Sequence, residues 1–443
     1  MLAALVWHSG GPRRCPAGGP RRCPVGLLRG LAGVLASVRG LASGIIILLL
    51  TTQNPASSQP LDSLRQLLRE NNPELIALEY DYRAALAISP QLSQLPDLEI
   101  GGGVSILPVE TRLGPQRARV MVTQMLPWPG TLAAMSALAD SRAQPLLEQA
   151  AALQLELLYT LETTYYAIVA AEEQIDALTQ SLTLYESLQE LALSRVENSR
   201  GSSVDVYRTE LRANAERRRI EQLRAEIAMS WSTIEELVNQ DLPRIVIVPQ
   251  VAVPRSIPDE LDLADHPQLR VFALQEEISR RTVALNDLEA RPDFAVGADY
   301  IVTGRRTDME PDGNGRDAIL PRVMLRIPLS GGRFRAVRDE EALRIQAITS
   351  RRTAVVNQFT AAIERADIAR LDAQQRLVFL REQVTTLEAA LTIARVEYAN
   401  GRRAFDELLE LQEQLIDYRT EAITAQQTVF TQSALIDRYL PSR

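Results

Sequence analysis

The feature that most constrains this chain is a run of apolar residues at alternating spacings of four and three. In residues 373–398 these positions form one stripe along a helix, and a second stripe occupies residues 408–429. The segment Tyr398-Ala399-Asn400-Gly401-Arg402-Arg403 separates the stripes, and Asn400-Gly401 tolerates the left-handed conformation that ends a helix. The pattern therefore predicts two long helices joined by a tight turn into a helical hairpin.

A similar construction occurs about two hundred residues earlier. Residues 191–197 precede Gly201 as residues 391–397 precede Gly401, with closely similar letters. Further matches in the same order are Asn72-Pro73 with His266-Pro267, and Pro96-Asp97 with Pro292-Asp293. Because the matches keep one order and nearly one spacing, the sequence predicts an internal duplication.

Composition favours long helices, and the net charge bears on the class of partner. The chain is rich in Ala, Leu, Gln, Glu and Arg, and only 5% of its residues are aromatic. All 48 basic residues are arginine, and six of them precede residue 58, where no acidic residue occurs. The remainder carries 42 arginines against 56 acidic residues, a net charge of −14. A net-acidic body argues against nucleic acid as a partner.

Residues 1–58 are expected to be a low-complexity leader followed by a signal peptide. Cys15 and Cys23 lie in a Gly-Gly-Pro-Arg-Arg-Cys-Pro repeat that cannot build a core, so no cysteine is left for a disulfide in the body. Arg39, the apolar residues 41–50 and the small residues 56–58 have the pattern of a signal peptide. A retained membrane anchor is the alternative, and export is expected.

Two stretches in each half alternate apolar and polar residues with a period of two, which predicts strand pairs. A loop of about ten residues containing Pro108, Gly114 and Pro115 is expected inside the first pair. The predicted organisation is a first repeat at 59–240 with a strand hairpin at 96–126 and a helical hairpin at 131–239. A Pro-rich linker at 241–265 and a second repeat at 266–443 follow, the latter with a strand hairpin at 292–329 and a helical hairpin at 332–440.

Four strands are half the minimum for a closed membrane barrel. An open sheet cannot satisfy its edges in a bilayer, so several chains must pool their strands. The long hairpins also carry more than one apolar stripe, because Leu158, Tyr165 and Val169 flank the main seam. Packing helices from several copies around one axis would bury this surplus.

Across residues 61–443 the chain resembles the TolC family of outer-membrane efflux channels, through the duplicated order of elements and the Arg-Val-Glu-Tyr-x-x-Gly turn at 395–401. Pro-Trp-Pro-Gly at 127–130 is similar to the strand-to-helix junction of members that serve heavy-metal RND pumps. The resemblance implies a mainly α homotrimer, with a twelve-stranded β-barrel in the cell outer membrane continuous with a long α-helical barrel in the periplasm. Its implied partners are a periplasmic adaptor and an inner-membrane pump of RND, ABC or MFS type, and its implied function is passive export through a tripartite efflux or type I secretion system.

The resemblance also implies a constriction ring of acidic residues after the second turn, which falls on Glu407 and Glu410. Carboxylates three apart share a helix face, and symmetry would turn each into a ring that favours cations. The alternative is that Glu407, Glu410 and Glu413 form a solvated face of an acid-rich helix.

A gate latch is implied at Tyr398 and Arg403. The family's usual acidic partner position is Tyr207 here, so we expect Arg403 to pair with Asp205 or Glu190, against the alternative of an unspecific surface arginine. The candidate adaptor contacts in the two turns, which are alternatively ordinary turns, are Gly201, Ser202, Gly401 and Arg402.

Other functional classes have little support in the sequence. His266 is the one histidine outside the leader, and no nucleophile or metal-ligand cluster accompanies it, so no enzyme, cofactor or metal site is expected. The rival interpretation is a periplasmic coiled-coil adaptor or scaffold. Adaptors have one long hairpin between compact β domains, whereas two hairpins and two strand pairs are predicted here.

Overall fold

The computed structural model describes residues 60–244, 246, 257 and 261–440. The predicted leader and signal peptide at 1–58, and much of the predicted linker at 241–265, lie outside these residues. None of the described helices contains a stretch long and apolar enough to cross a lipid bilayer.

Twelve elements make up the described chain, and their order confirms the predicted duplication of helix, strand pair, long helix, turn and shorter helix. The first repeat consists of α1 (Pro60–Asn71), α2 (Pro73–Leu86), α3 (Ser89–Leu92), β1 (Glu99–Thr111), β2 (Gly114–Leu126), α4 (Thr131–Glu197) and α5 (Ser203–Val238). The second consists of α6 (Pro267–Glu289), β3 (Asp293–Thr303), β4 (Ala318–Arg326), α7 (Gly331–Ala399) and α8 (Phe405–Tyr439).

The helices pack side by side in two rows that share their longest members. α4 has 67 residues and α7 has 69, so each is about 100 Å long at 1.5 Å per residue. Toward the hairpin turns the row order is α5, α4, α8, α7, and toward the sheet it is α2, α4, α6, α7. One edge of both rows is therefore α7 from the second repeat, and the other edge is α5 or α2 from the first.

The predicted apolar stripe of α7 packs against α4 and α8 in the row next to the hairpin turns. Leu377, Leu380, Leu391, Ala394 and Tyr398 of α7 are buried, as their spacing predicts. The cluster next to the turns is completed by Tyr185, Leu188 and Ala192 of α4 and by Leu408 and Leu415 of α8. Each fully buried leucine contributes roughly 1.5–3 kcal/mol, so the seam holds the two hairpins together.

The four strands form one antiparallel sheet in the order β1-β2-β3-β4, with β2 pairing β3 across the two repeats. Val120, Tyr300 and Ile319 occupy one row of the register and lie on one face. The next row, Met121, Asp299 and Leu320, lies on the opposite face. The alternation expected from the sequence is therefore present, and β1 and β4 are the free edges.

The loop predicted inside the first strand pair is much shorter than expected. β1 extends to Thr111 and β2 begins at Gly114, so two residues connect them. Pro108 lies within β1 beside a register shift between Val104 and Val109, because a bulge on an edge strand tolerates the missing N–H. Gly114 has φ +133°, and a Cβ there would lie 1.7 Å from the carbonyl oxygen of Gly304, so glycine is required.

In each repeat, one side chain caps the start of a helix and also binds the end of another helix. Asn72 accepts hydrogen bonds from the N–H groups of Glu74 (3.0 Å) and Leu75 (3.1 Å), which caps α2, and donates to the carbonyl of Leu237 (2.8 Å) at the end of α5. His266 caps α6 through Nδ1, which accepts from the N–H of Gln268 (3.2 Å). Its Nε2 lies 3.3 Å from the carbonyl oxygen of Arg438 at the end of α8.

We expect Asn72→Ala to lower the free energy of unfolding by about 2 kcal/mol, because it removes a helix cap and leaves a carbonyl unpaired. Asn214→Ala is the matched control, since Asn214 is exposed and its side chain bonds only to Arg217 of the same helix, at 2.9 Å. Its effect should stay within about 0.5 kcal/mol. Denaturant titration followed by circular dichroism measures both, and equal effects would contradict the assigned role.

Candidate functional site at the hairpin tips

The two hairpin turns have the same backbone geometry, but their structurally equivalent residues are not the ones that the sequence match aligns. Ser199 (φ +55°) and Gly401 (φ +74°) are the left-handed residues after α4 and α7. The N–H of Arg200 bonds to the carbonyl of Arg195 at 2.8 Å, as that of Arg402 bonds to Glu397 at 2.9 Å. The structural equivalence is thus shifted by two residues, and Gly201 corresponds to Arg403 rather than to Gly401.

Position 201 requires glycine because the turn packs closely against Arg195, and not because its φ is positive. A Cβ at Gly201 would lie 2.9 Å from the Cβ of Arg195, so a larger residue would displace the turn. Ser202 caps α5 by accepting from the N–H of Val204 at 3.2 Å. Gly201, Ser202, Gly401 and Arg402 are all exposed at the tips.

Arg195 joins the two tips, a role that sequence reasoning missed. Its guanidinium donates to the carbonyl of Tyr398 in the second hairpin and to the carbonyl of Arg200 (3.1 Å) in its own turn. It also lies 4.5 Å from the centroid of the Tyr398 ring, a cation–π distance. Tyr398 is 3% exposed and packs on Phe405 with ring centroids 5.1 Å apart.

Arg395 makes the reverse crossing by donating to the hydroxyl of Ser187 on α4 at 3.1 Å. The signal that could have identified Arg195 was the duplicated Arg-Val-Glu of 195–197 and 395–397. Both arginines of this motif extend from one hairpin to the other.

Within a single chain, Arg403 binds carboxylates of its own hairpin. Its guanidinium donates to Glu397 at 2.7 Å and to Glu407 at 2.7 Å, not to Asp205 or Glu190. The reason is local, since Glu397 lies in the last turn of α7, Glu407 lies four residues after Arg403, and the tight turn brings both carboxylates to it. Glu190 is exposed on α4.

Asp205 lies near Tyr398 but not in an ion pair with Arg403. Burial raises the pKa of the Asp205 carboxyl, and the neighbouring carboxylate of Asp406 raises it further, while Arg208 and Arg195 oppose the shift. Arg208 bonds to Asp406. Burial, followed by the charge of Asp205, also raises the pKa of Tyr398. The charges of Asp205 and Arg195 therefore act on the hydroxyl of Tyr398, whereas Arg403 pairs with Glu397 and Glu407.

Glu407 and Glu410 are both exposed at the start of α8. Glu407 is partly neutralised by Arg403 within the chain. The predicted ring needs further copies of the chain, so it stays a prediction.

The sheet at the other end of the molecule has two chemically different faces. One face carries exposed apolar side chains and no charged residue at its paired positions: Ile100, Val104, Val120, Phe294, Val296, Tyr300, Ile319, Val323 and Leu325 are examples. On the opposite face the fully buried Asp299 bonds to Arg119 and lies 3.6 Å from Arg322, which donates to Thr123 at 2.9 Å. Charges are thus confined to one face.

Comparison with solved structures gives matches to outer-membrane proteins. CusC matches with a TM-score of 0.72 at 15% identity, over 86% of this chain and 92% of that one. The outer-membrane channel OprN matches at 0.69 and 18%, over 86% and 89%. The open-state outer-membrane channel MtrE of Neisseria gonorrhoeae matches at 0.66 and 18%, over 86% and 88%.

The chain has the fold of outer-membrane channels. This confirms the fold that the resemblance to the TolC family predicts. No protein-family model and no curated protein matches the sequence. Identities below 20% explain why the fold is detected through structure.

We expect Arg195→Ala to loosen both tips, because it removes two hydrogen bonds and a cation–π contact worth about 2 kcal/mol together. Amide hydrogen exchange in residues 196–204 and 397–405 should accelerate by roughly tenfold or more. Arg200→Ala is the control, since the carbonyl of Arg200 is the group that Arg195 binds and its side chain is exposed. Acceleration in residues 196–204 alone would show that Arg195 does not join the hairpins.

Proposed function

We propose that this protein is the outer-membrane exit duct of a tripartite efflux or type I secretion system. Three copies form a twelve-stranded barrel in the outer membrane and a helical barrel in the periplasm. Substrates delivered by an inner-membrane pump and a periplasmic adaptor pass through the duct without being chemically changed. The fold shared with OprN and MtrE supports this proposal.

The observation that carries the proposal is the state of the sheet in a single chain. Its apolar face lies open, with Val323 75% exposed, and the outer edges of β1 and β4 have no partner strand among the described residues. Unpaired backbone groups cannot enter a bilayer. A closed barrel built from several copies places the apolar face against lipid, the charged face in the lumen, and each β4 edge beside a β1 edge.

The helical rows support the same mode of assembly. Their α7 edge carries exposed apolar residues, including Ile368, Val378, Phe379, Ile393 and Val396, and their α5 edge carries Val204, Tyr207 and Leu211. The second repeat supplies α7 and β4, and the first supplies α5, α2 and β1. Each copy therefore presents second-repeat edges to the first-repeat edges of the next copy at both levels, a head-to-tail contact that generates a ring.

The tips are proposed as the periplasmic end of the duct. The exposed turn residues Gly201, Ser202, Gly401 and Arg402 would contact the adaptor. Glu407 and Glu410 would form the constriction ring. The latch would include Tyr398, held within the chain by Arg195, and Arg403 would meet Asp205 or Glu190 only across neighbouring copies.

The adaptor interpretation is less favoured because it offers no use for an exposed apolar sheet face. It also expects one long hairpin, whereas this chain has α4–α5 and α7–α8.

Val323→Arg is expected to prevent membrane insertion. A charge on the lipid face costs roughly 2–4 kcal/mol per copy near the bilayer midplane. The adjacent Met324→Arg is the matched control, because Met324 lies on the opposite face of the same strand. Fractionation followed by gel analysis of heat-modifiable oligomers should show the Met324 variant in the outer membrane and the Val323 variant depleted from it. Equal insertion of both variants would contradict the barrel.

Glu407→Gln and Glu410→Gln are expected to lower the cation-over-anion permeability ratio, by roughly two- to fivefold, because each substitution removes a ring of negative charge. Glu226→Gln, on an exposed position of α5 far from the tips, should leave the ratio unchanged. Reversal potentials in a salt gradient across planar bilayers measure the ratio. An unchanged ratio in both tip variants would favour a solvated helix face over a constriction.

A further inference from the structure

The junction of α6 and α8 depends on the protonation state of one buried side chain. His266 is 6% exposed, and its Nδ1 accepts from the N–H of Gln268 at 3.2 Å. A ring nitrogen that accepts carries no proton, so the imidazole is neutral and its proton is on Nε2. That N–H points to the carbonyl oxygen of Arg438 at 3.3 Å. The ring therefore caps one helix and holds the end of another in a single tautomer.

One side of the ring packs against apolar groups. Phe359 of α7 lies edge-on to the imidazole with centroids 4.7 Å apart, and Tyr439 packs on Phe359 at 4.6 Å. Leu263 and Leu269 belong to the same apolar cluster as Phe359. The imidazole therefore lies against a cluster to which α6, α7 and α8 all contribute.

The charged groups near His266 disfavour an additional positive charge. Arg438 and Arg270 both lie close enough to lower its pKa. Their guanidinium groups pair with carboxylates of α4, Arg438 with Glu156 at 3.7 Å and Arg270 with Glu148 at 3.3 Å.

Two more carboxylates, Asp262 and Asp265, lie in the segment before the cap, and Asp262 accepts from the N–H of Ala264 at 3.2 Å. The groups that α7 presents to the ring are uncharged.

Protons can reach the ring through a groove between α4, α6 and α8. The groove has a volume of about 410 Å³ and is lined by His266 with Gln149, Glu156, Gln268 and Arg438 among others. The polar side chains among its lining residues provide hydrogen-bond partners for water.

We propose that His266 is a pH-sensitive clasp of the second repeat, closed when the imidazole is neutral and released when Nδ1 gains a proton in acid. Protonated Nδ1 can no longer accept from Gln268, so the first turn of α6 loses its cap and is released, while Nε2–H continues to donate to the carbonyl of Arg438. Asn72 performs the same two tasks in the first repeat and does not titrate, so that junction stays closed. The inference does not depend on the proposed export function.

The direction of the pH effect follows from the burial of the ring. Burial lowers the pKa of His266 below its ordinary value of 6.5. The hydrogen bond to the Arg438 carbonyl opposes this shift, and the positive charges of Arg438 and Arg270 add to it, so that the pKa is lowered on balance. The unfolded state then binds more protons than the folded state just below pH 6.5. The stabilisation by neutral His266 is therefore complete above that pH and is lost as the pH falls toward the lower folded-state pKa.

The test compares the two junctions within one protein. Hydrogen exchange, corrected for intrinsic rates, is measured on the full oligomer at about pH 7.5 and about pH 5. Residues 266–272 should exchange about fivefold faster at the lower pH, the loss expected for one helix cap, while residues 434–440, 72–78 and 233–239 should not change. Equal responses of the two junctions would overturn the proposal.

His266→Asn is the matched variant, because asparagine is the residue that already serves at the equivalent position. It should fold and abolish the pH dependence, and a variant that keeps the wild-type response would overturn the proposal. A second readout is available because the chain has only two histidines. Carbon-13 spectra of the histidine rings should show an Nε2–H tautomer for His266 with a titration midpoint below 6.5, and an Nδ1–H tautomer would contradict the clasp.

Discussion

The free edges of β1 and β4 are the constraint on which the rest of this structure depends. A sheet with one charged face and one apolar, exposed face is stable in a bilayer only when its edges are paired, and the four strands of the described residues are too few to pair their own edges. The helical rows also need a partner at their edges. The need is weaker than for the sheet, because α7 and α5 expose apolar side chains and not unpaired backbone groups. The proposed head-to-tail contact would satisfy both requirements, since α7 and β4 come from one repeat and α5, α2 and β1 from the other. A single ring would therefore cover the exposed surfaces at both levels.

The duplication preserves geometry more strictly than residue identity. Asn72 and His266 both cap a helix and bind the last turn of another, through an amide in one repeat and an imidazole in the other. Ser199 and Gly401 both adopt the left-handed conformation at the hairpin turns, although only one of them is glycine. Such substitutions give the two repeats different sensitivities. The second-repeat junction contains a titratable group, His266, and the first-repeat junction does not. At the turns, Arg403 binds carboxylates of its own hairpin, whereas the corresponding position in the first repeat is Gly201.

Much of the fold could be predicted because periodicity reports burial directly. The stripe ending at Leu391, Ala394 and Tyr398 is buried, and the alternation around Val296 and Val323 separates the faces of the sheet. The loop around Pro108 was overestimated because proline marks a loop in most contexts, whereas an edge strand with a bulge accommodates it. The carboxylates that Arg403 binds within the chain were not predicted, because side-chain pairing depends on a two-residue shift between the turns that letter matching does not show. Arg195 was missed for the same reason, although its duplicated motif was visible.

The most direct test of the account is the number of copies in the purified particle. Native mass spectrometry of detergent-extracted protein from the outer-membrane fraction should give a mass of three mature chains, with no populated single-copy species. A particle of one chain that remains soluble without detergent would leave the edges of β1 and β4 and the apolar sheet face without a partner, and would contradict the ring.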